Sequence, residues 1–181
     1  MFIQTEATPN PATLKFLPGR TVMEQGTADF RTADEAAISP LAQSLFAVEG
    51  VTGVYLGADF ITISKSDAME WLLLKPAVLG AIMDHFMSGR AVMTGTAQAA
   101  HAQGADSEII DQIIDLLDTR IRPAVAQDGG DITFVRYEDG VVYLAMRGAC
   151  SGCPSSTATL KNGIENLMRH YIPEVQEVRA A

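Results

Sequence analysis

Cysteine is almost absent from this chain of 181 residues: there are two, Cys150 and Cys153. A disulfide framework joins distant segments, and a bridge within so short a span closes almost no loop. The pair is therefore not what holds the fold together. Charge is sparse as well, at 19% of residues, with a formal net charge of −9 and a pI near 4.7. The composition is too apolar for a disordered chain. The acidic excess repels phosphate backbones and anionic lipid, which argues against nucleic acid and membrane surfaces as partners. No apolar run is long enough to span a bilayer; the nearest, Trp71 to Phe86, is broken by Lys75, Pro76, Asp84 and His85. The first residues show neither the basic and apolar regions of a signal peptide nor an Arg-rich presequence, since Glu6 and a Pro-Asn-Pro turn come at once. The chain reads as cytoplasmic, and as bacterial if it is the primary translation product.

What is present is apolar material, 48% of the residues, enough for two small cores. Phe2 to Thr5 and Thr13 to Leu17 read as a hairpin around Thr8-Pro9-Asn10-Pro11, followed by a polar stretch from Thr27 to Glu35. Pro40 to Val48 suits a short helix capped by Ser39. Val51 to Leu56 and Phe60 to Ser64 read as strands, and Met69 to Met87 as a helix with Pro76 at a kink or in its first turn. Small and polar residues then run from Ser88 to Ala105. Beyond them Ile110, Ile113, Ile114, Leu117 and Ile121 share one helical stripe, with Asp111, Asp115 and Asp118 on a solvated face and Pro123 interrupting the helix. Ile132 to Tyr137 and Val141 to Met146 form a hairpin through Glu138-Asp139-Gly140, and a last helix carries Leu160, Ile164, Leu167, Met168 and Tyr171. Val175 to Val178 adds a short edge strand. The expected architecture is α/β (α+β): two small domains, residues 1–88 and 106–181, each a small sheet packed with helices, joined by a flexible linker over residues 89–105. Each half runs helix, strand, tight turn, strand, helix, yet only the second contains thiols.

Cys150 and Cys153 lie in a Gly- and Ser-containing loop between strand and helix, followed by Pro154. A buried inert pair belongs inside an apolar stripe; this loop is expected to expose both sulfurs. It sets them beside a helix N-terminus, where backbone N–H groups and the helix dipole favour thiolate. Three chemistries compete. A thioredoxin-like redox pair fits locally, but too few residues follow the last helix to supply the further strands of that fold. A structural zinc site and an iron–sulfur cluster both need about four ligands. The histidines His85, His101 and His170 have no ligand spacing with the pair and read as surface or core-edge residues. The simplest route to four thiolates is two chains related by a two-fold axis, each giving Cys150 and Cys153. A centre held by two exposed loops can be assembled and released, which suits delivery. A zinc-bridged dimer and a thiol–disulfide enzyme stand as the alternatives.

The run from Ala126 through Gln127-Asp128-Gly129-Gly130-Asp131 to Ile132, with Arg147-Gly148-Ala149-Cys150-Ser151-Gly152-Cys153-Pro154-Ser155-Ser156, closely resembles the C-terminal domain of NifU. Thr5-Glu6-Ala7-Thr8-Pro9-Asn10-Pro11, Leu14-Lys15-Phe16 and Trp71 with Leu74-Lys75-Pro76 resemble the N-terminal domain of Nfu proteins. The resemblance implies a non-catalytic iron–sulfur scaffold and carrier. Such a protein binds a [4Fe–4S] cluster, with [2Fe–2S] as the variant, between two subunits, takes it from upstream donors and passes it to client apoproteins. Carried over, Cys150 and Cys153 are the cluster and metal ligands. Gly152 keeps the loop tight and Gly148 lets the backbone approach, or both are plain turn residues. Asp128 and Asp131 cap or turn the backbone. The chain lacks the large scaffold and ferredoxin-like cysteine regions of full-length NifU, which favours a carrier over a self-contained assembly machine. Arg147, Lys161 and Arg169 are the positive residues around the last helix; Arg147 either offsets the negative charge of four thiolates and a cluster or is ordinary surface charge, and the second is the simpler reading.

Overall fold

The computed structural model describes residues 1–95, 107–151 and 157–181. The chain forms two compact units, Met1–Gln98 and Ala99–Ala181, each a small sheet packed with helices around its own core.

In the first unit β1 (Gln4–Ala7), β2 (Thr13–Leu17), β3 (Ala28–Phe30), β4 (Val51–Leu56) and β5 (Ile61–Lys65) form one antiparallel sheet in the order β1-β2-β5-β4-β3. The β1–β2 turn is closed by Asn10, whose Oδ1 accepts from Ala12 N at 3.0 Å and whose carbonyl accepts from Thr13 N at 3.0 Å. Pro9 and Pro11, with no N–H of their own, leave those acceptors to others. The helices α1 (Pro40–Phe46) and α2 (Trp71–Met87) supply Leu41, Leu45, Leu74, Val78 and Ile82, which bury Phe16, Leu56, Ile61 and Ile63 of the sheet. Ser39 caps α1 as expected, accepting from Ala42 N at 3.1 Å. Pro76 sits well inside α2. It cannot donate to the carbonyl of Leu72, but both residues lie on the exposed face of the helix, where water can reach that oxygen.

Two features of this unit depart from the expected pattern. β3 lies within the polar stretch from Thr27 to Glu35: Ala28 and Phe30 are buried through pairing with β4, a tertiary contact that three residues of local sequence cannot announce. Residues 89–95, read as linker, are fastened to the first unit. Val92 and Met93 pack on its core, Ser39 Oγ donates to Val92 O at 2.6 Å, and Thr94 N donates to Ile38 O at 2.8 Å. Residues 96–106 of that expected linker lie outside the described residues.

The second unit opens with a long helix in three parts: α3 (Ser107–Leu116), one π-type turn over Leu117–Ile121, and α4 (Arg122–Gln127). In the π turn Arg122 N–H reaches back to Leu117 O. The cause is Pro123, whose ring excludes the normal carbonyl position one turn earlier; widening the turn absorbs the clash without breaking the helix. Ile113, Leu117, Ile121 and Val125 stay on one buried stripe throughout. β6 (Gly130–Glu138) and β7 (Val141–Gly148) form an antiparallel hairpin, and β8 (Glu177–Ala180) adds parallel to β7 after the crossover helix α5 (Thr157–Tyr171). The hairpin turn uses Asp139 at φ +50° and Gly140 at φ +79°, the left-handed pair that matches strand twist. The last strand begins two residues later than expected. Val175 belongs to a turn that buries it, and Gln176 N donates to Gly140 O at 2.7 Å before pairing begins. Among the described residues no helix is long and apolar enough to cross a membrane.

Candidate metal centre at the Cys150 turn

Gly129, at φ +76°, ends the α4 segment and turns the chain into β6. Gly130 is the first residue of β6 and pairs directly with Gly148, the last residue of β7. Gly148 is at φ +59°, a left-handed conformation that costs glycine nothing, and it starts the turn that carries Cys150. Ala149 N donates to Gly129 O at 3.2 Å, Cys150 N to Arg147 O at 3.3 Å and Ser151 N to Gly148 O at 3.1 Å. The turn is thus stitched to both the hairpin end and the α4–β6 junction. Of the two roles expected of Gly148, the structure displays that of a turn-forming glycine.

Cys150 departs from expectation. Its side chain does not project into solvent: the residue is 7% exposed and belongs to the core of the second unit. Its neighbour is Gly130, where a Cβ would overlap the Cys150 Sγ and lie 3.0 Å from the Cys150 backbone nitrogen. This cradle shows how the site accepts a thiol. Only a strand residue with no side chain lets the sulfur lie against the sheet. Cys153 and Gly152 lie outside the described residues.

Beside Gly130 stands Asp131, 3% exposed, and it does more than turn the backbone. Its Oδ1 accepts from Ile132 N at 2.9 Å and from Arg122 Nε at 2.8 Å, while Oδ2 accepts from Arg122 Nη2 at 3.0 Å. Arg122 also donates through Nη1 to Asp118 Oδ1 at 2.9 Å, so the π turn of the helix is clamped to the start of β6. The paired carboxylates, Asp131 foremost, raise the pKa of the Arg122 guanidinium above its ordinary value and keep it charged against the cost of partial burial. Gly130 and Arg122 were not visible as site residues in the sequence. The two adjacent glycines signal a close approach in hindsight, but no local pattern connects Arg122 with an aspartate nine residues on.

The other candidates separate cleanly. His85 belongs to the first unit and is fully buried, not at a surface or core edge, because it falls on the inward face of α2 with Val78 and Ile82. His170 is exposed near the end of α5 and stacks edge-on against Tyr171 at 5.0 Å. His101 lies outside the described residues. Arg147 Nε donates to Thr133 Oγ1 at 3.3 Å. Arg169 is exposed and approaches the half-buried Glu165 at 3.8 Å, a surface pair of the ordinary kind. Asp111 and Asp115 face solvent as expected. Among the described residues no three His, Cys, Asp or Glu side chains converge in a way that would hold a metal ion.

Two family models match the chain: one described as "Scaffold protein Nfu/NifU N terminal" over residues 3–89, the other as "NifU-like domain" over residues 113–179. The chain belongs to the Nfu/NifU family. The Nfu/NifU relatives include the mitochondrial NFU1 iron–sulfur cluster scaffold homolog of Drosophila sechellia, 55% identical over 98% of this chain and 64% of that protein. Mitochondrial NifU-like protein 4 of Arabidopsis thaliana is 50% identical over 98% of this chain and 65% of its own length. The chain thus spans just under two thirds of these relatives. A NifU-like protein from Saccharomyces cerevisiae, solved in solution, matches 53% of this chain and 87% of its own with 28% identity and a TM-score of 0.48. These relatives correct one expectation. The first residues suggest a cytoplasmic chain, but these curated relatives are named as mitochondrial, which contradicts that expectation.

Proposed function

We propose that this chain is a non-catalytic carrier that holds a [4Fe–4S] cluster between two copies through Cys150 and Cys153 and delivers it to client apoproteins. The observation that carries the reading is the setting of the cysteine pair. The NifU-like match over residues 113–179 encloses Cys150 and Cys153, and the structure gives Cys150 a glycine-built cradle at a strand–turn–helix junction. Two thiolates per chain are half of the set an iron–sulfur cubane takes, and a second copy supplies the rest. Delivery is ligand exchange: client thiolates replace those of Cys150 and Cys153 at the iron atoms, and no electron need be transferred. The cluster is cargo, received from an upstream donor. The first unit, which has no cysteine, serves to recognise clients or donors.

The test is anaerobic loading with iron and sulfide, followed by absorption and Mössbauer spectra. The wild-type chain should turn brown with the signature of a cubane. Cys150→Ser and Cys153→Ser should each stay colourless while keeping their folded circular dichroism. A single serine variant that loads as well as the wild type refutes the ligand assignment. Reversible dithiol exchange without cluster uptake, or zinc in place of iron, refutes the carrier reading.

A further inference from the structure

Gly130 has no conformational reason to be glycine. Gly129 and Gly148 adopt positive φ, whereas Gly130 is an ordinary strand residue, and glycine in a strand gives up packing and chain entropy. Its reason is steric, and the atoms concerned are those of Cys150. A Cβ at position 130 would collide with Sγ and come within 3.0 Å of the Cys150 nitrogen and 3.2 Å of its Cβ. The seat is held from three sides. Gly130 pairs with Gly148, Ala149 N binds Gly129 O at 3.2 Å, and the neighbouring Asp131 is gripped by Arg122 at 2.8 and 3.0 Å.

We infer that Gly130 is a positioning residue that stows the Cys150 sulfur against β6 in the metal-free chain, so that cluster uptake begins with withdrawal of this sulfur from its seat. A cubane shared by two chains needs all four sulfurs at their common surface, and a sulfur in the core of one unit cannot be among them. Stowing shields the thiol from alkylating and oxidising reagents until a donor arrives. Release requires rotation of the Cys150 side chain, or movement of the turn whose bonds include those from Ala149 N, Cys150 N and Ser151 N. The uptake half of this inference rests on the carrier reading; the stowing half does not.

Both tests use the whole, metal-free, fully reduced chain, so their outcome is independent of whether iron is ever bound. In the first, a pulse of iodoacetamide is followed by digestion and mass spectrometry of the Cys150 peptide. Wild-type Cys150 should react at least about tenfold more slowly than in the urea-unfolded chain, because a buried thiol is poorly reactive. Folded Gly130→Ala should lose most of that protection. A wild-type rate within about twofold of the unfolded rate, or full protection in folded Gly130→Ala, overturns the inference. The second is a double-mutant cycle on the urea midpoint. Gly130→Ala should shift it at least about twice as far in the wild-type background as with Cys150→Ala, which removes the colliding sulfur. An equal shift in both, including failure to fold in both, overturns it; folding only with Cys150→Ala supports it. Should alkylation and the cycle behave as expected while loading with iron fails, the stowed sulfur stands and the carrier reading falls.

Discussion

Asp131 shows how one buried side chain can tie a helix to the strand that lies against Cys150. With a side-chain exposure of 4%, it meets an arginine whose side chain is 32% exposed, so the two ends of the pair experience different solvents. Removing the aspartate frees an arginine that water can partly reach, whereas removing the arginine leaves a buried carboxylate without this charged partner. The cost of Asp131→Ala is therefore put below the range for fully buried pairs, at roughly 1–3 kcal/mol. It should show as a lower urea midpoint for the second unit. Arg122→Met should cost at least as much as Asp131→Ala; a smaller loss would show that the carboxylate does not depend on its partner. His85 gives the first unit a pH dependence of definite sign. Burial, and after it the Arg90 guanidinium, lower its pKa below 6.5, and an approach to the Arg90 backbone offsets only part of this. Neither ring nitrogen finds a well-formed hydrogen bond. The unfolded chain therefore binds a proton more readily than the folded one. Stability is fully present above about pH 6.5 and declines as pH falls below it. The melting temperature of the first unit should drop between pH 7 and pH 5, and His85→Leu should flatten that slope. An unchanged slope would mean that the imidazole is not the group responsible.

At the scale of elements, Ser39 joins two parts of the chain far apart in sequence. Its hydroxyl caps α1 through Ala42 N and donates to Val92 O, fixing the segment after α2 to the core. Ser39→Ala removes both bonds and should lower the stability of the first unit by about 1–2 kcal/mol, read from its thermal transition. A loss of only a few tenths would show that the returning segment is held by Val92 and Met93 alone. This element also marks where the sequence is legible. The capped start of α1, the strands around residues 51–65, the Asp139–Gly140 hairpin turn and the apolar stripe of α5 are written in local signals: a cap, alternation, a left-handed pair, a helical period. β3, the return of residues 89–95 and the shifted start of β8 depend on partners remote in sequence, and short polar text carries no trace of them. The site divides in the same way. The spacing and flanks of Cys150 and Cys153 point to thiolate chemistry, but the burial of Cys150 comes from Gly130, and the clamp on Asp131 comes from a π turn forced by Pro123. Packing placed the sulfur; loop composition alone suggested the reverse.

At the scale of the whole molecule, the chain is built as two units with separate cores. Thiol chemistry is confined to the second unit, since both cysteines lie within Ala99–Ala181, and the first contributes a five-stranded sheet with helices and no cysteine. Ser39→Ala should accordingly leave cluster uptake unchanged even as it lowers the first melting transition. The central claim concerns stoichiometry, because a single chain carries too few sulfurs for a cubane. Native mass spectrometry of the anaerobically loaded protein, with iron and sulfide counted in the same ion, tests it most directly. The expected species is two chains with four iron and four sulfide, which falls apart to monomers when the cluster is removed by a chelator. A loaded species of one chain, or a dimer that carries no iron, would contradict it.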